Sequence, residues 1–480
     1  MNKPVPGSPN TVPFEVTEPD RIAAQRYYDE DFYKLECEML WPRVWQMACR
    51  LEEIPKPGSF SVYENLGQSI IVTRVDENTV KAFHNHCRHR GVKLANDRGR
   101  CNAFVCRFHG WSWNLKGENT FVYTPEVFSE RQLNKEDLKL RECRVETWGG
   151  CAFINLDDNA PPLRDCIEPF ATMHDVWHVE GLKVEWWYAA HLPVNWKLAM
   201  EAFFEGYHIA QTHPQQLPPG QNIRNSAFRP LDRQIFPMAN FAALPAAASN
   251  MAAASTMFDP RMLIKGFPHF YQMLRDGMAG MVGEQDIQAM RDLENMELPA
   301  RDLLGAIKMY NRALHDAITE RNRKEKLDTP DLNEVMDREV MTSVNFCFPH
   351  FFMLPTYSAA ASYRIRPLGS EECLFEVWSL KRYPEGEEQR PIQTPVPLKL
   401  DDPSWPPFPR QDFSNMPRQQ QGLHTKGFEF MRLSKDVEGL ISNNHRVIDG
   451  FLAGLGYDKL VPAMQKVSGP IDVPIKDLGF

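Results

Sequence analysis

Four side chains able to ligate a metal are crowded between Asn85 and Trp113. Cys87 and His89 stand as C-x-H within NHCRHRG, and Cys106 and His109 as C-x2-H within CRFHGWSW, with sixteen residues between the pairs. Each pair can occupy the tip of a β-hairpin, so that two tips pinch one centre. Two thiolates with two imidazoles suit zinc or an iron–sulfur centre. His84 and His86 fall outside this spacing and read as loop or surface histidines.

A second constellation lies in NWKLAMEAFFEGYHIAQTHPQ, residues 195 to 215. Glu201, Glu205 and His208 are spaced four and three apart, so a helix running through them would place all three along one side. His213 follows five residues later, where the helix must bend or end before Pro214. Two histidines at this spacing read equally well as packing residues. Joined by one carboxylate, they form the ligand set of non-haem ferrous iron that leaves cis positions free for dioxygen. No carboxylate following His213 has the spacing of such a triad, so the third ligand must come from distant sequence.

The first segment closely resembles the Rieske family, including Gly91 after the first ligand pair and Gly110-Trp111 after the second. With NWK, a near E-x3-E-x-YH run and H-x4-H downstream, the chain resembles along nearly its whole length the α (catalytic) subunit of Rieske non-haem iron aromatic ring-hydroxylating oxygenases. The resemblance implies a [2Fe-2S] cluster with Cys87 and Cys106 on one iron and His89 and His109 on the other. Neutral imidazoles in place of thiolates raise its potential. It implies one mononuclear Fe(II) per subunit, held by His208, His213 and an Asp ahead of a Q-x-G-L-like segment. In QDFSNMPRQQQGLHTKGF that Asp is Asp412, with Gln420, Gly422 and Leu423 completing the pattern; Asp401 and Asp402 fit the spacing poorly. Glu205 takes the position of a carboxylate that bridges an iron-ligand histidine to a Rieske histidine of a neighbouring subunit. Many ring dihydroxylases have Asp there, whereas members acting on quaternary amines have Glu. One departure is Ala202, where many relatives carry Asn.

The elements that must position these groups suggest an α+β chain in three parts. Residues 1–45 read as an N-terminal arm and a helix beginning near Asp20. Residues 46–160 form a mostly β domain of short β-branched runs broken by Gly, Asn and Asp, closed by DDNAPPL. Residues 161–480 form a catalytic domain, which the resemblance makes a helix-grip fold on an antiparallel sheet, with a helical insertion around 280–340. Within it, residues 182–193, NFCFPHFFMLPT, AASYRIRP and CLFEVWSLKRY read as strands. A last helix runs from about Asp436 to Leu452, followed by a Pro-containing tail. Phe203, Phe204 and Ile209, with the Met- and Ala-rich stretch at 247–264, are candidates for an apolar pocket wall. Phe346, Phe348 and Phe352 alternate along a strand that either reaches this pocket or serves the core.

Composition narrows the function classes. The 480 residues carry 54 Lys and Arg against 63 Asp and Glu, a formal charge of −9, which argues against general attraction to nucleic acid or an anionic membrane. Hydrophobic residues make up 43% and charged residues 24%, the profile of a globular chain. No apolar run approaches the roughly 18 residues of a membrane span, and the N-terminus lacks an apolar signal core, so a cytoplasmic location is expected. Ten cysteines are too sparse for a disulfide-built scaffold.

No GxGxxG or GxxxxGK[ST] segment is present, so NAD(P)H and flavin belong on separate proteins: a reductase, with or without a ferredoxin. The resemblance implies a homotrimer, with a small β subunit in some branches. The activity it implies is hydroxylation of an aromatic or other hydrophobic substrate with O2 and external electrons, cis-dihydroxylation in the first instance. A monooxygenase or demethylase acting on an amine or other non-arene is the alternative, and an iron–sulfur electron-transfer protein is the reading from outside the enzymes.

Overall fold

The computed structural model describes residues 12–216, 260–278, 280–299, 303–338, 344–384, 387 and 393–480. The Ala-, Met- and Pro-rich stretch up to residue 259, including most of the expected pocket wall, lies outside them. The chain folds as two compact units: Cys37–Cys166, and the residues up to Glu36 together with Ile167–Phe480.

The smaller unit is built on a seven-stranded antiparallel sheet. Its order is Gln46–Arg50, Cys151–Asn155, Glu142–Trp148, Val80–His84, Gln68–Arg74, Ser59–Asn65, Arg98–Arg100. A second, three-stranded sheet comprises Ala103–Val105, Ser112–Asn114 and Asn119–Phe121. Alternation along the strands sorts the apolar side chains into two cores. One gathers Ile54, Tyr63, Ile70, Val72 and Ile154. The other gathers Ile71, Phe83, Phe104, Trp111 and Trp113 around Cys87 and Cys106. Gly117, at φ +82°, closes the turn between two strands of the small sheet, and a Cβ there would lie 2.5 Å from the Phe83 ring. Only glycine tolerates both constraints.

The larger unit is also built on a seven-stranded sheet. The order is Val396–Pro397, Lys183–Leu192, Glu372–Lys381, Ala359–Gly369, Phe351–Pro355, Asn345–Cys347, Gly469–Pro470. Every pairing is antiparallel except that of the short Val396–Pro397 strand with Lys183–Leu192. The strand segments expected at 345–381 thus form one sheet. The helices Trp196–Glu201 and Pro407–Leu423 pack together, the former directly on the sheet. Phe203, Phe204, Phe346, Phe352, Tyr363 and Phe375 form a continuous aromatic layer beneath them, with ring centroids 4.7–5.8 Å apart. Helices Glu284–Asp292, Leu303–Lys324 and Leu332–Asp337 fall in the expected helical region.

Three expectations need correction. The helix expected from Asp20 begins only at Glu30: Arg21–Ala23 is a strand paired with Phe430–Arg432, and Ala24–Tyr27 is a 3-10 turn. A strand partner far away in sequence overrides local helix propensity there. The tail after Leu452 contains a further helix, Tyr457–Val467, that accommodates Pro462 inside it and buries Leu460, Ala463 and Met464. The helix from Asn195 does not run through to His208, as described next. Among the described residues no helix is long and apolar enough to cross a membrane.

Candidate functional site

In the smaller unit, two loops of matching hydrogen-bond pattern carry the four candidate ligands. The Cys87 N–H donates to Val92 O at 2.8 Å and Gly91 N–H returns to Cys87 O at 3.0 Å; Cys106 N–H donates to Trp111 O at 2.8 Å and Gly110 N–H returns to Cys106 O at 2.9 Å. Gly91 and Gly110 sit at φ +76° and +75°, so the two motif glycines supply the same left-handed residue at the same point of each loop. Cys87 and Cys106 are buried. Burial pushes the Cys87 thiol's pKa up, and the Cys106 thiol, within hydrogen-bonding reach, adds to the shift.

The imidazoles of His89 and His109 lie 4.7 Å apart between ring centroids. His89 stacks on Trp111 at 4.8 Å and meets the edge of Phe128 at 5.7 Å. His89 Nδ1 is buried without a hydrogen-bond partner among the described residues. Such an atom is costly to leave unpaired, and a metal would satisfy it. His109 Nε2 lies 3.0 Å from the Arg90 guanidinium, which itself covers the Phe108 ring at 4.5 Å. Two adjacent thiols, two adjacent imidazoles and an orphaned ring nitrogen fit a [2Fe-2S] cluster.

In the larger unit, Asn195 caps the helix Trp196–Glu201: its side chain accepts the Lys197 N–H at 2.9 Å. The helix stops at Glu201, and Phe203 and Phe204 close i→i+3 turns on Met200 and Glu201. Asp472 then pins the loop, accepting the Gly206 N–H at 2.7 Å while its own N–H donates to Phe204 O at 3.2 Å. A second short helix, Ile209–Thr212, follows, with His208 before it and His213 after it. Glu201, Glu205 and His208 therefore do not share one helical face; the break turns Glu205 and His208 toward each other and leaves Glu201 facing the interior.

His208, His213 and Asp412 come together as one group, with ligand atoms within 4.8 Å of one another. Asp412 is buried on the helix Pro407–Leu423, and its Oδ1 lies 3.1 Å from His213 Nε2 and 3.9 Å from His208 Nε2. Each imidazole has its other nitrogen committed. His208 Nδ1 donates to Glu205 Oε1 at 2.8 Å, and His213 Nδ1 to Gln411 Oε1 at 2.7 Å. These bonds fix the tautomers that leave both Nε2 lone pairs directed at the Asp412 side, which fits a divalent ion. Gln420 ties the two helices together: its Oε1 accepts the Asn195 N–H at 3.0 Å, and its Nε2 donates to Tyr27 O and Glu371 Oε2. Asp402 caps a turn, accepting the Ser404 N–H, and is not part of the group.

The surroundings contain residues that motif spacing did not reveal. Gln411 is one; its only sequence signal is adjacency to Asp412. Tyr27, Arg26, His445 and Asp449 are others, and they form a buried polar network around Glu201. Glu201 accepts from Tyr27 Oη at 2.9 and 3.0 Å and from His445 Nε2 at 2.8 Å. Arg26 Nε donates to His445 Nδ1 at 3.0 Å, so the ring proton sits on Nε2, and Arg26 pairs with Asp449 at 2.6 Å. Burial raises the Glu201 carboxyl to about 8 against the partly compensating Tyr27, Lys197 and Arg26, and burial with Arg26 and Lys197 holds His445 well below its usual range.

Two cavities meet at the triad, and Ala202, Glu205, His208 and Asp412 line both. One, of about 290 Å³, has a mixed lining in which Glu201, Glu438 and Arg432 stand among apolar residues such as Leu198 and Ile441. The other is walled by Phe203, Ile209, Leu274, Met278, Met281 and Phe408. Phe203 and Ile209 thus reach a cavity as expected, whereas Phe204, Phe346, Phe348 and Phe352 are core residues: none lines either cavity, and Phe348 stacks on Phe451.

Fold and donor sets together define a two-centre iron protein, with one iron–sulfur unit and one mononuclear-iron unit in the same chain. Residues 44–127 match the Rieske [2Fe-2S] domain, and residues 179–454 match the ring hydroxylating alpha subunit (catalytic domain). The chain belongs to the family of ring-hydroxylating oxygenase α subunits.

Among curated proteins, it is 34% identical over 202 residues to the benzene 1,2-dioxygenase subunit alpha of Pseudomonas putida, covering 40% of this chain and 44% of that protein. It is 31% identical over 192 residues to the glycine betaine monooxygenase oxygenase subunit of Pseudomonas aeruginosa, again covering 40% and 44%. The chain spans about half the length of the curated relatives it matches. Among solved structures, naphthalene 1,2-dioxygenase with indole bound superposes with a TM-score of 0.60 at 18% identity, covering 96% of this chain and 99% of that one. A quaternary ammonium Rieske monooxygenase in complex with gamma-butyrobetaine gives 0.56 at 14%, covering 92% and 99%. At these identities the likeness is one of fold.

Proposed function

We propose that this chain is the oxygenase component of a Rieske oxygenase, taking O2 and electrons from separate redox proteins to oxidise a hydrophobic, aromatic or amine substrate. The observation that carries this reading is the convergence of His208 and His213 Nε2 on Asp412, with both Nδ1 atoms committed elsewhere. Cys87, His89, Cys106 and His109 hold the cluster, and His208, His213 and Asp412 hold the mononuclear iron. When bound, the two groups supply one-electron transfer and a ferrous ion with positions open to dioxygen. The protein's own part is to fix the imidazole tautomers through Glu205 and Gln411, to hold the site with Gln420 and Asp472, and to keep water from the apolar cavity. Glu205, already bonded to His208, has further acceptor lone pairs for a Rieske histidine of a neighbouring subunit in a homotrimer.

For the finer chemistry we favour insertion of a single oxygen atom with dealkylation of an amine or other non-arene. Hydroxylating an N-methyl group consumes O2, two electrons and two protons, yields water, and gives a carbinolamine that releases formaldehyde. Glu in place of Asp at position 205 supports this reading, as does the similarity to a glycine betaine monooxygenase subunit. The second reading, cis-dihydroxylation of an arene, uses the same electrons and protons but places both oxygen atoms in the product. The Phe-, Met- and Leu-walled cavity and the similarity to a benzene dioxygenase subunit favour it.

Turnover under 18O2 with a generic ferredoxin and reductase tests both. One labelled atom with formaldehyde release supports the first, and a doubly labelled diol supports the second. Oxygen consumption without any oxidised product from either substrate class would overturn the oxygenase reading.

A further inference from the structure

Two polar atoms lining the apolar cavity beside the triad have no hydrogen-bond partner among the described residues. Tyr363, on the strand Ala359–Gly369, lines this cavity and is fully buried. Its ring packs at 5.0 Å on Phe203 and 5.6 Å on Phe375, both apolar. Its hydroxyl has no hydrogen-bond partner among the described residues. Asp412 lines the same cavity, and burial, which raises the phenol's pKa, keeps the hydroxyl a neutral donor. Gln216 lines the same cavity from the segment following His213, and its Oε1 is likewise buried and unpaired.

Buried hydroxyls and amides are nearly always paired, and leaving one unpaired costs free energy that an apolar residue of the same shape would not incur. Phenylalanine at position 363 would complete the aromatic wall without that cost. The arrangement makes sense if the missing partner arrives with the substrate. A site built to hydrogen-bond a substrate discriminates strongly against the analogue that lacks the group, because the site's own polar atom then stays unpaired.

We propose that Tyr363 is a specificity-determining residue, whose hydroxyl donates a hydrogen bond to an acceptor group on an otherwise apolar substrate, with Gln216 Oε1 receiving a donor where the substrate has one. The preferred substrate class is thus a compact hydrophobic molecule bearing one polar substituent, and not a plain hydrocarbon. This deepens the oxygenase reading and rests on it for the word substrate; the binding preference itself does not.

The test uses the full, iron-loaded chain and three probes of similar size: ethylbenzene, acetophenone and 1-phenylethanol. Equilibrium binding is measured under anaerobic conditions without electron donors, so that failure of turnover cannot be mistaken for failure of recognition. The wild-type chain should bind acetophenone at least about tenfold more tightly than ethylbenzene, the ratio expected for one buried hydrogen bond. Tyr363→Phe should abolish that ratio by weakening acetophenone alone, with ethylbenzene binding and iron content unchanged. Gln216→Leu should leave the acetophenone ratio intact and weaken only 1-phenylethanol, whose hydroxyl can donate to Gln216 Oε1. In turnover, Tyr363→Phe should raise KM for the ketone more than it lowers kcat. The proposal is overturned if the wild-type chain shows no preference among the probes, including by binding none of them, or if Tyr363→Phe retains the preference.

Discussion

Glu205 Oε1 lies 2.8 Å from His208 Nδ1, and the same carboxylate's Oε2 accepts the His208 backbone N–H at 3.0 Å. One side chain thus holds both the ring and the main chain of a candidate iron ligand. Its hold is local, made across three residues of a loop, and it survives because the helix ends at Glu201.

Removing that grip frees the imidazole to rotate and to change tautomer. Glu205→Ala should lower substrate oxidation by about a hundredfold or more and iron retention by roughly 10- to 100-fold. The cluster's visible spectrum should be unchanged. Glu205→Gln keeps an acceptor for Nδ1 and should retain most of the iron. Metal analysis after gel filtration, beside product formation, separates the two variants.

His213 depends in the same way on Gln411, whose amide Nε2 in turn donates to Gln215 Oε1 at 3.3 Å. Gln411→Leu should weaken mononuclear iron binding by about 10- to 100-fold with little effect on the melting temperature. Iron titration of the chelator-stripped protein reads this directly, and an unchanged affinity would remove Gln411 from the site.

The two centres should be separable by substitution. The wild-type chain is expected to carry about three irons, two in the cluster and one mononuclear. Asp412→Ala or His213→Ala should bring this to about two while the reduced cluster keeps its electron paramagnetic resonance signal. Cys106→Ser should eliminate that signal and leave the mononuclear site able to take up iron.

Glu201 gives the fold a pH dependence of definite sign. Its carboxyl is raised from 4.5 to about 8 in the folded chain, chiefly by burial. Below the unfolded value, both states are protonated and the group does not oppose folding. As pH rises toward 8, the unfolded chain releases this proton and the folded chain keeps it, so stability falls through that window and levels off above it. Glu201→Gln, isosteric and able to accept from Tyr27 and His445, should flatten the curve. Its melting temperature should match the wild type near pH 5 and exceed it by several degrees near pH 8. Equal slopes for the two proteins would show that Glu201 ionises freely.

The range of the interactions decides how much of the site is legible in the sequence. The loops around Cys87 and Cys106 close on their own hydrogen bonds within six residues, so ligand spacing and the two glycines were enough to recognise them. His208 and His213 were visible for the same reason. Asp412, about two hundred residues away, came only through resemblance to a Q-x-G-L pattern, and the structure supplies the physical sense of that pattern: Gln420 bonds the Asn195 backbone and so brings the helix of Asp412 to the start of the segment that leads to His208.

Other features depended on tertiary contacts and left no local trace. The strand Arg21–Ala23 exists because Phe430–Arg432 pairs with it, and the Arg26–His445–Glu201 chain joins three separate parts of the sequence. Whether Phe352 or Tyr363 meets the cavity was likewise undecidable from alternation alone. Paired across two strands, both are fully buried aromatic residues, yet only Tyr363 lines the cavity beside the triad. Local spacing determines what a segment can ligate, because neighbouring residues have few ways to move apart. Which distant side chain completes or lines the site is decided by how sheet and helices pack, and that is a property of the whole folded unit.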